Sequence, residues 1–135
     1  MPDILYIALS QNELLANAFR SAGQNLIHLS HESGLDRLQH GGRPFQVIVL
    51  QWRSRRDQAI IARAKVLGLP VLATTGRLTA ALRAPGERAD VYLEDPVEAT
   101  ELVDLAVDLQ RALPERRVPS GVRHGFPPAR AAVHT

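Results

Sequence analysis

Apolar residues along this chain fall into two alternating kinds of run. The first kind is short and apolar at nearly every position. It comprises Ile4 to Leu9, Leu26 to Leu29, Phe45 to Leu50, Pro70 to Thr74 and Val91 to Leu93. Such runs suit strands covered on both faces. The second kind is longer and carries its apolar residues on one helical stripe. Leu14, Leu15, Ala18, Phe19 and Ala22 form one such stripe, ended by Gly23. Leu102, Leu105, Leu109 and Leu113 form another on a helix expected over Val97 to Leu113, where Pro114 stops it. Between them, Ser33 to Gln39, Arg55 to Leu67 and Leu78 to Arg83 complete the helices.

Local signals mark the helix starts. Ser10 with Glu13 reads as a capping box for the first helix, and Ser54 with Asp57 opens the third. Asp95 as N-cap, Pro96 at the first helical position and Glu98 two residues on predict the start of the last helix. Strands that alternate with helices through short loops predict one α/β domain with a parallel sheet and helices on both faces. Right-handed crossovers favour a doubly wound sheet of order 2-1-3-4-5 over residues 1–113.

Residues 114–135 lose the periodicity and are rich in Pro, Gly and Arg, the composition of a disordered tail. This segment also changes the picture of charge. The chain has 16 basic and 14 acidic side chains. The segment takes Arg116, Arg117, Arg123 and Arg130 against Glu115, so residues 1–113 are left almost neutral. A basic DNA-binding domain is therefore not indicated. Cysteine is absent, which excludes disulfides and thiolate metal sites. No run reaches the roughly 18–20 apolar residues of a membrane span, and Met1-Pro2-Asp3 lacks a secretory layout, so a cytoplasmic protein is expected.

In a doubly wound fold the chemistry sits beyond the carboxyl ends of the strands. Three segments there carry a resemblance. The third strand ends PFQVIVLQ at Gln51, the fourth reads PVLATTG with Thr75 and Gly76, and the fifth reads ADVYLEDP with Tyr92, Asp95 and Pro96. In order and spacing this resembles the receiver domain of bacterial response regulators, over about residues 3–113. The resemblance implies an aspartate at the end of the third strand, two acidic residues after the first strand that hold Mg²⁺, a Thr or Ser, an aromatic, and a Lys before the proline.

The chain departs from that pattern at four positions. Ala8 and Leu9 stand at the acidic pair, Gln51 at the phosphoacceptor and Asp95 at the Lys. A neutral amide is a poor nucleophile where a carboxylate forms an acyl phosphate. Mg²⁺ wants hard, mostly anionic oxygens. The resemblance thus implies a degenerate pseudo-receiver without catalysis, metal or cofactor. Its role is regulation by contact with another signalling protein. Receivers commonly pair through the face of the fourth helix, fifth strand and fifth helix, so a homodimer is implied there, using Tyr92, Glu94 and an outward strip of Val103, Val107 and Gln110.

Other candidates lie nearby. Arg53, Arg55 and Arg56 cluster beside the single tryptophan, Trp52. The arginines suit an anion or an acidic partner, or else a solvated run neutralised by Asp57. Trp52 suits a partner anchor or a cover over a shortened loop. An alternative function follows, a small-molecule or nucleotide sensor with Gln51, Thr75, Gly76 and the three arginines around an anion. His28 and His31, three apart on an expected strand, face opposite sides and do not make a metal pair. No nucleophile elbow, Walker loop or dinucleotide loop is present, so an enzyme is not expected.

Overall fold

The computed structural model of the chain describes residues 3–40 and 45–111. The basic segment 114–135, Leu113, Gly41 and Gly42 lie outside the described residues. The strands are β1 (Asp3–Ile7), β2 (Asn25–Leu29), β3 (Val47–Gln51), β4 (Val71–Thr75) and β5 (Val91–Glu94). They form one parallel sheet in the order β2-β1-β3-β4-β5, the doubly wound order expected from the sequence. The helices are α1 (Glu13–Ser21), α2 (His31–Gln39), α3 (Gln58–Val66), α4 (Leu78–Arg83) and α5 (Ala99–Arg111), with a 3-10 turn at Arg55–Asp57 ahead of α3.

The period-2 geometry of a strand explains why the strands read as continuous apolar runs. Leu5, Ile7, Ile48, Leu50, Val71, Ala73 and Tyr92 point to one face, where they pack with Leu38, Ile60, Ile61, Ala64 and Ala81 of α2, α3 and α4. Ile4, Val47, Val49, Leu72, Val91 and Leu93 point to the other, against Leu15 and Phe19 of α1 and Leu102, Leu105 and Leu109 of α5. All four apolar residues of β3 are fully buried, as befits the central strand.

Four helix starts differ from expectation. The stretch expected to open the third helix at Arg55 is a 3-10 turn capped by Ser54, and α3 itself begins at Gln58. Asn12, not Ser10, caps α1, its Oδ1 accepting from the Leu15 amide at 3.0 Å. Ser30 caps α2 through the Ser33 amide, so that helix begins at His31, two residues early. Asp95 does not cap α5, which begins at Ala99, its first turn marked by the Leu102 amide on the Glu98 carbonyl. The Asp95 amide donates instead to the Thr75 carbonyl at 2.9 Å, which prolongs the β4–β5 ladder and holds Asp95 outside the helix. The Asp95–Pro96 peptide is cis.

The proposed outward strip of α5 is also corrected. Val103 is buried in the core, Val107 is half-buried against it, and Gln110 donates through Nε2 to Gln24 Oε1 at 3.2 Å. Because α1 lies along α5, the apolar stripe of α5 is wider than its leucines alone suggested.

Gly34 is where α2 comes closest to the sheet. A Cβ there would meet Ile7 Cδ1 at 2.7 Å and Cγ1 at 2.8 Å. Alanine is favoured over glycine in a helix by about 1 kcal/mol, yet overfilling a packed contact costs roughly 1–3 kcal/mol. Gly34→Ala is expected to destabilise the fold by about 1 kcal/mol, and Gly34→Val by more. Urea midpoints at unchanged m-value would show it. A stabilised alanine variant would mean that Ile7 yields freely.

Candidate functional site

The carboxyl edge of the sheet is organised by the last residue of β3. Gln51 Oε1 accepts the Leu9 amide at 2.8 Å, and its main-chain carbonyl accepts from His31 Nε2 at 2.7 Å. A carbonyl can only accept, so Nε2 carries a proton and donates. That Nδ1 is buried with no hydrogen-bond partner. His28 Nε2 meets the Ala8 carbonyl at 3.0 Å. The two histidines therefore pin the loop after β1 and the end of β3. They share no ligand site, although His31 belongs to a helix and not to the strand assumed in the sequence reading.

The arginine run is divided by the turn that follows β3. Asp57 is 1% exposed and accepts three bonds from Arg53: the amide at 2.7 Å, Nε at 3.3 Å and Nη2 at 3.0 Å. His31 Nε2 stands 3.8 Å from the same carboxylate. A carboxylate so buried requires such donors, since an unmatched buried charge is costly. Arg53 is thus paired with Asp57, the partner named in the solvated-run alternative, while its own side chain stays 37% exposed. Arg56 faces a cleft of about 450 Å³ with His31, Glu32, Arg53 and Asp57. Arg55 faces a different cleft, of about 430 Å³, on the far side of the turn.

Two expected partner contacts prove to be interior. Trp52 is 2% exposed and donates through Nε1 to Gln58 Oε1 at 2.7 Å. Tyr92 is 3% exposed, its hydroxyl accepts the Ala89 amide at 3.0 Å, and Arg88 lies over its ring at 5.7 Å. Burial pushes the Tyr92 phenol above its ordinary value. Neither ring is presented to a partner, because each has a polar atom satisfied within the core.

The anion pocket anticipated around Gln51, Thr75, Gly76 and the three arginines is not assembled. Gln51 Oε1 accepts the Leu9 amide. Thr75 is fully buried and its Oγ1 accepts the Arg77 amide at 2.9 Å. Arg53 and Arg56 line one cleft and Arg55 another, and neither cleft is lined by Gln51, Thr75 or Gly76.

The Mg²⁺ that the receiver resemblance brings to mind does not fit these residues. Ala8 is a core residue without a donor atom, Leu9 is exposed and apolar, and the carboxylate of Asp57 is taken by Arg53. Among the described residues no three His, Asp or Glu side chains are grouped to hold a metal. Asp95, at the Lys position, is exposed and leaves a negative charge where the resemblance implies a positive one. Partial loss of solvent pushes its carboxyl up, and its charge adds to the burial that raises the Tyr6 phenol.

Sequence reasoning weighed His31 only as half of a metal pair and Asp57 as a helix-start residue or a neutraliser of the arginine run, and did not bring the two together. The available signal was the spacing of Arg53 and Asp57 across a short turn. For His31 it was Ser30 as a cap, which moves the histidine from strand to helix.

The fold is similar to that of solved response-regulator receiver domains. One from Clostridium thermocellum has a TM-score of 0.66 at 21% identity, with 87% of this chain and 98% of that one covered. A Francisella response regulator receiver domain gives 0.61 at 16% identity, covering 82% and 98%. A de novo designed Rossmann 2x3 protein gives 0.58 at 17% identity, covering 92% and 98%. No family model matches the chain, and neither does a curated protein. The likeness establishes a flavodoxin-like receiver fold.

The raised carboxyl of Asp95 has a definite consequence for stability. An acid whose folded pKa lies above its unfolded one costs nothing at low pH. Its cost develops as pH rises through the ordinary aspartate value, about 3.9, and beyond. Asp95→Asn is therefore expected to raise the melting temperature slightly at pH 7 and to match the parent near pH 3. Paired thermal melts at the two values check this; a lower melting temperature at pH 7 would contradict it.

Proposed function

We propose that this chain is a pseudo-receiver, a cytoplasmic regulatory module of bacterial signalling that acts by protein contact without phosphoryl transfer. The observation that carries the reading is the bond from the Leu9 amide to Gln51 Oε1. At the end of the central strand, a neutral side chain holds the loop after β1 closed onto β3. A phosphoacceptor there would need a free carboxylate, a metal and a cation to receive the developing charge. The residues at those places are an engaged amide, an alanine and a leucine, and an aspartate.

The contact surface is proposed at this same edge. Leu9, within the loop that joins β1 to α1, and Leu14, in the first turn of α1, are 67% and 72% exposed. Single exposed leucines are ordinary, but Leu9 is the residue that Gln51 fixes in place. Pairing through α4, β5 and α5 lacks comparable support, since Tyr92 and Val103 are turned into the core.

Two measurements test the reading. Incubation with Mg²⁺ and a small phosphodonor, followed by intact mass, is expected to leave the mass unchanged. A phosphate adduct would overturn the pseudo-receiver assignment. Light scattering over a wide concentration range is expected to report a monomer. A dimer abolished by charge reversal on α5, such as Asp104→Lys, would restore the α4-β5-α5 pairing.

A further inference from the structure

The cleft on the far side of the turn has a composition unlike the rest of the edge. Arg55 from the turn, and Arg77 and Arg83 from the start and end of α4, line it together with Trp52, Ala84 and Pro85. All three arginines are exposed, and no acidic residue lines the cleft. Among the described residues none of the three takes part in an ion pair, whereas Arg53, a few residues away, has Asp57.

The cleft is also built on a firm floor. Gln58 accepts from Trp52 Nε1 and donates through Nε2 to the carbonyls of Pro85 at 3.0 Å and Glu87 at 2.9 Å. One half-buried side chain thereby fixes the tryptophan and the loop after α4 to each other. Arg77 is anchored at the mouth by Nη1 on the Arg53 carbonyl at 3.2 Å, which leaves its remaining guanidinium donors available. Three like charges around one cleft repel each other unless an anion sits between them. Guanidinium groups match the planar, bidentate geometry of phosphoryl oxygens. A volume of about 430 Å³ lies within the range of small-molecule sites.

We infer that the cleft between the turn Arg55–Asp57 and α4 binds the phosphoryl group of a small molecule through Arg55, Arg77 and Arg83. The inference stands apart from the loss of phosphoryl transfer, because this site binds an anion reversibly and is not the end of β3. A phosphate adduct by mass would bear on that reading alone.

Trp52 is the only tryptophan in the chain and is among the residues that line the cleft, so its fluorescence serves as a reporter there. The test titrates the full chain with pyrophosphate and with a nucleoside diphosphate, and repeats both titrations by calorimetry. Saturable binding is expected. Arg83→Gln, an exposed change, is expected to weaken it about tenfold or more. Arg77→Gln should do likewise, and Arg56→Gln, on the other cleft, should leave it unchanged. Absence of binding by both methods would overturn the proposal, as would an equal loss in Arg56→Gln. So would binding of poly-glutamate with no response to either phosphoryl compound, which would assign the cleft to an acidic polypeptide.

Discussion

A parallel sheet ends in a row of main-chain groups that the ladder no longer pairs, and every one near the core needs a partner. At the centre of this sheet a single residue meets that demand in two directions. The side-chain carbonyl of Gln51 accepts the Leu9 amide in the loop after β1, and its main-chain carbonyl accepts from the ring of His31 at the start of α2. Three segments distant in sequence are thus joined at one point. Each bond contributes only about 1 kcal/mol net, the bond from His31 being part-buried and that from Leu9 exposed. The position of the loop, the inward turn of His31 and the closure of the edge all follow from that amide.

Charge at the edge follows from the same closure. His31 and Asp57 are brought under the loop, and a carboxylate buried there needs donors. Arg53 supplies them with its amide and its guanidinium, folding the chain into a 3-10 turn before α3 begins. The turn then sends Arg55 and Arg56 to opposite sides. A run that looks like one basic cluster in sequence becomes an internal ion pair and two separate surface charges. Only the side that also receives Arg77 and Arg83 from α4 accumulates positive charge.

The architecture was legible in the sequence because it rests on period and punctuation. Strands buried on both faces read as unbroken apolar runs, and Gly23 and Gly68 end helices at positive φ, where glycine is favoured. The helix starts were less legible, since Ser10 and Asn12 are both good caps and only the path of the chain after β1 decides between them. Asp95, Pro96 and Glu98 have the right types in the right order for a cap, yet the Asp95 amide is held by Thr75 and the helix waits until Ala99. A packing role for Trp52 and Tyr92 was legible as one of two readings, but the burial of Val103 was not, since it depends on α1 lying over α5. Tyr92 is held by the Ala89 amide three residues away, and Trp52 by Gln58, which also holds the loop after α4. The resemblance located the positions that differ from receivers but not what the replacing residues do.

Thr75 sharpens the point. It matches the receiver type, as Tyr92 and Pro96 do, and type alone would argue for chemistry there. Its hydroxyl accepts the Arg77 amide and the side chain is fully buried at the end of β4. A β-branched residue with a short acceptor is what that position requires simply to end a strand and turn into α4. Ala8, conversely, has lost any donor atom and joined the core. The two apolar clusters that hold the sheet lie below the edge and draw nothing from it. A fold supported in this way can replace the residues at its mouth without losing its architecture, and a designed protein shares the architecture as well. Function in such a chain therefore has to be argued from the charges and bonds at the edge, where this sequence puts an amide in place of an acid.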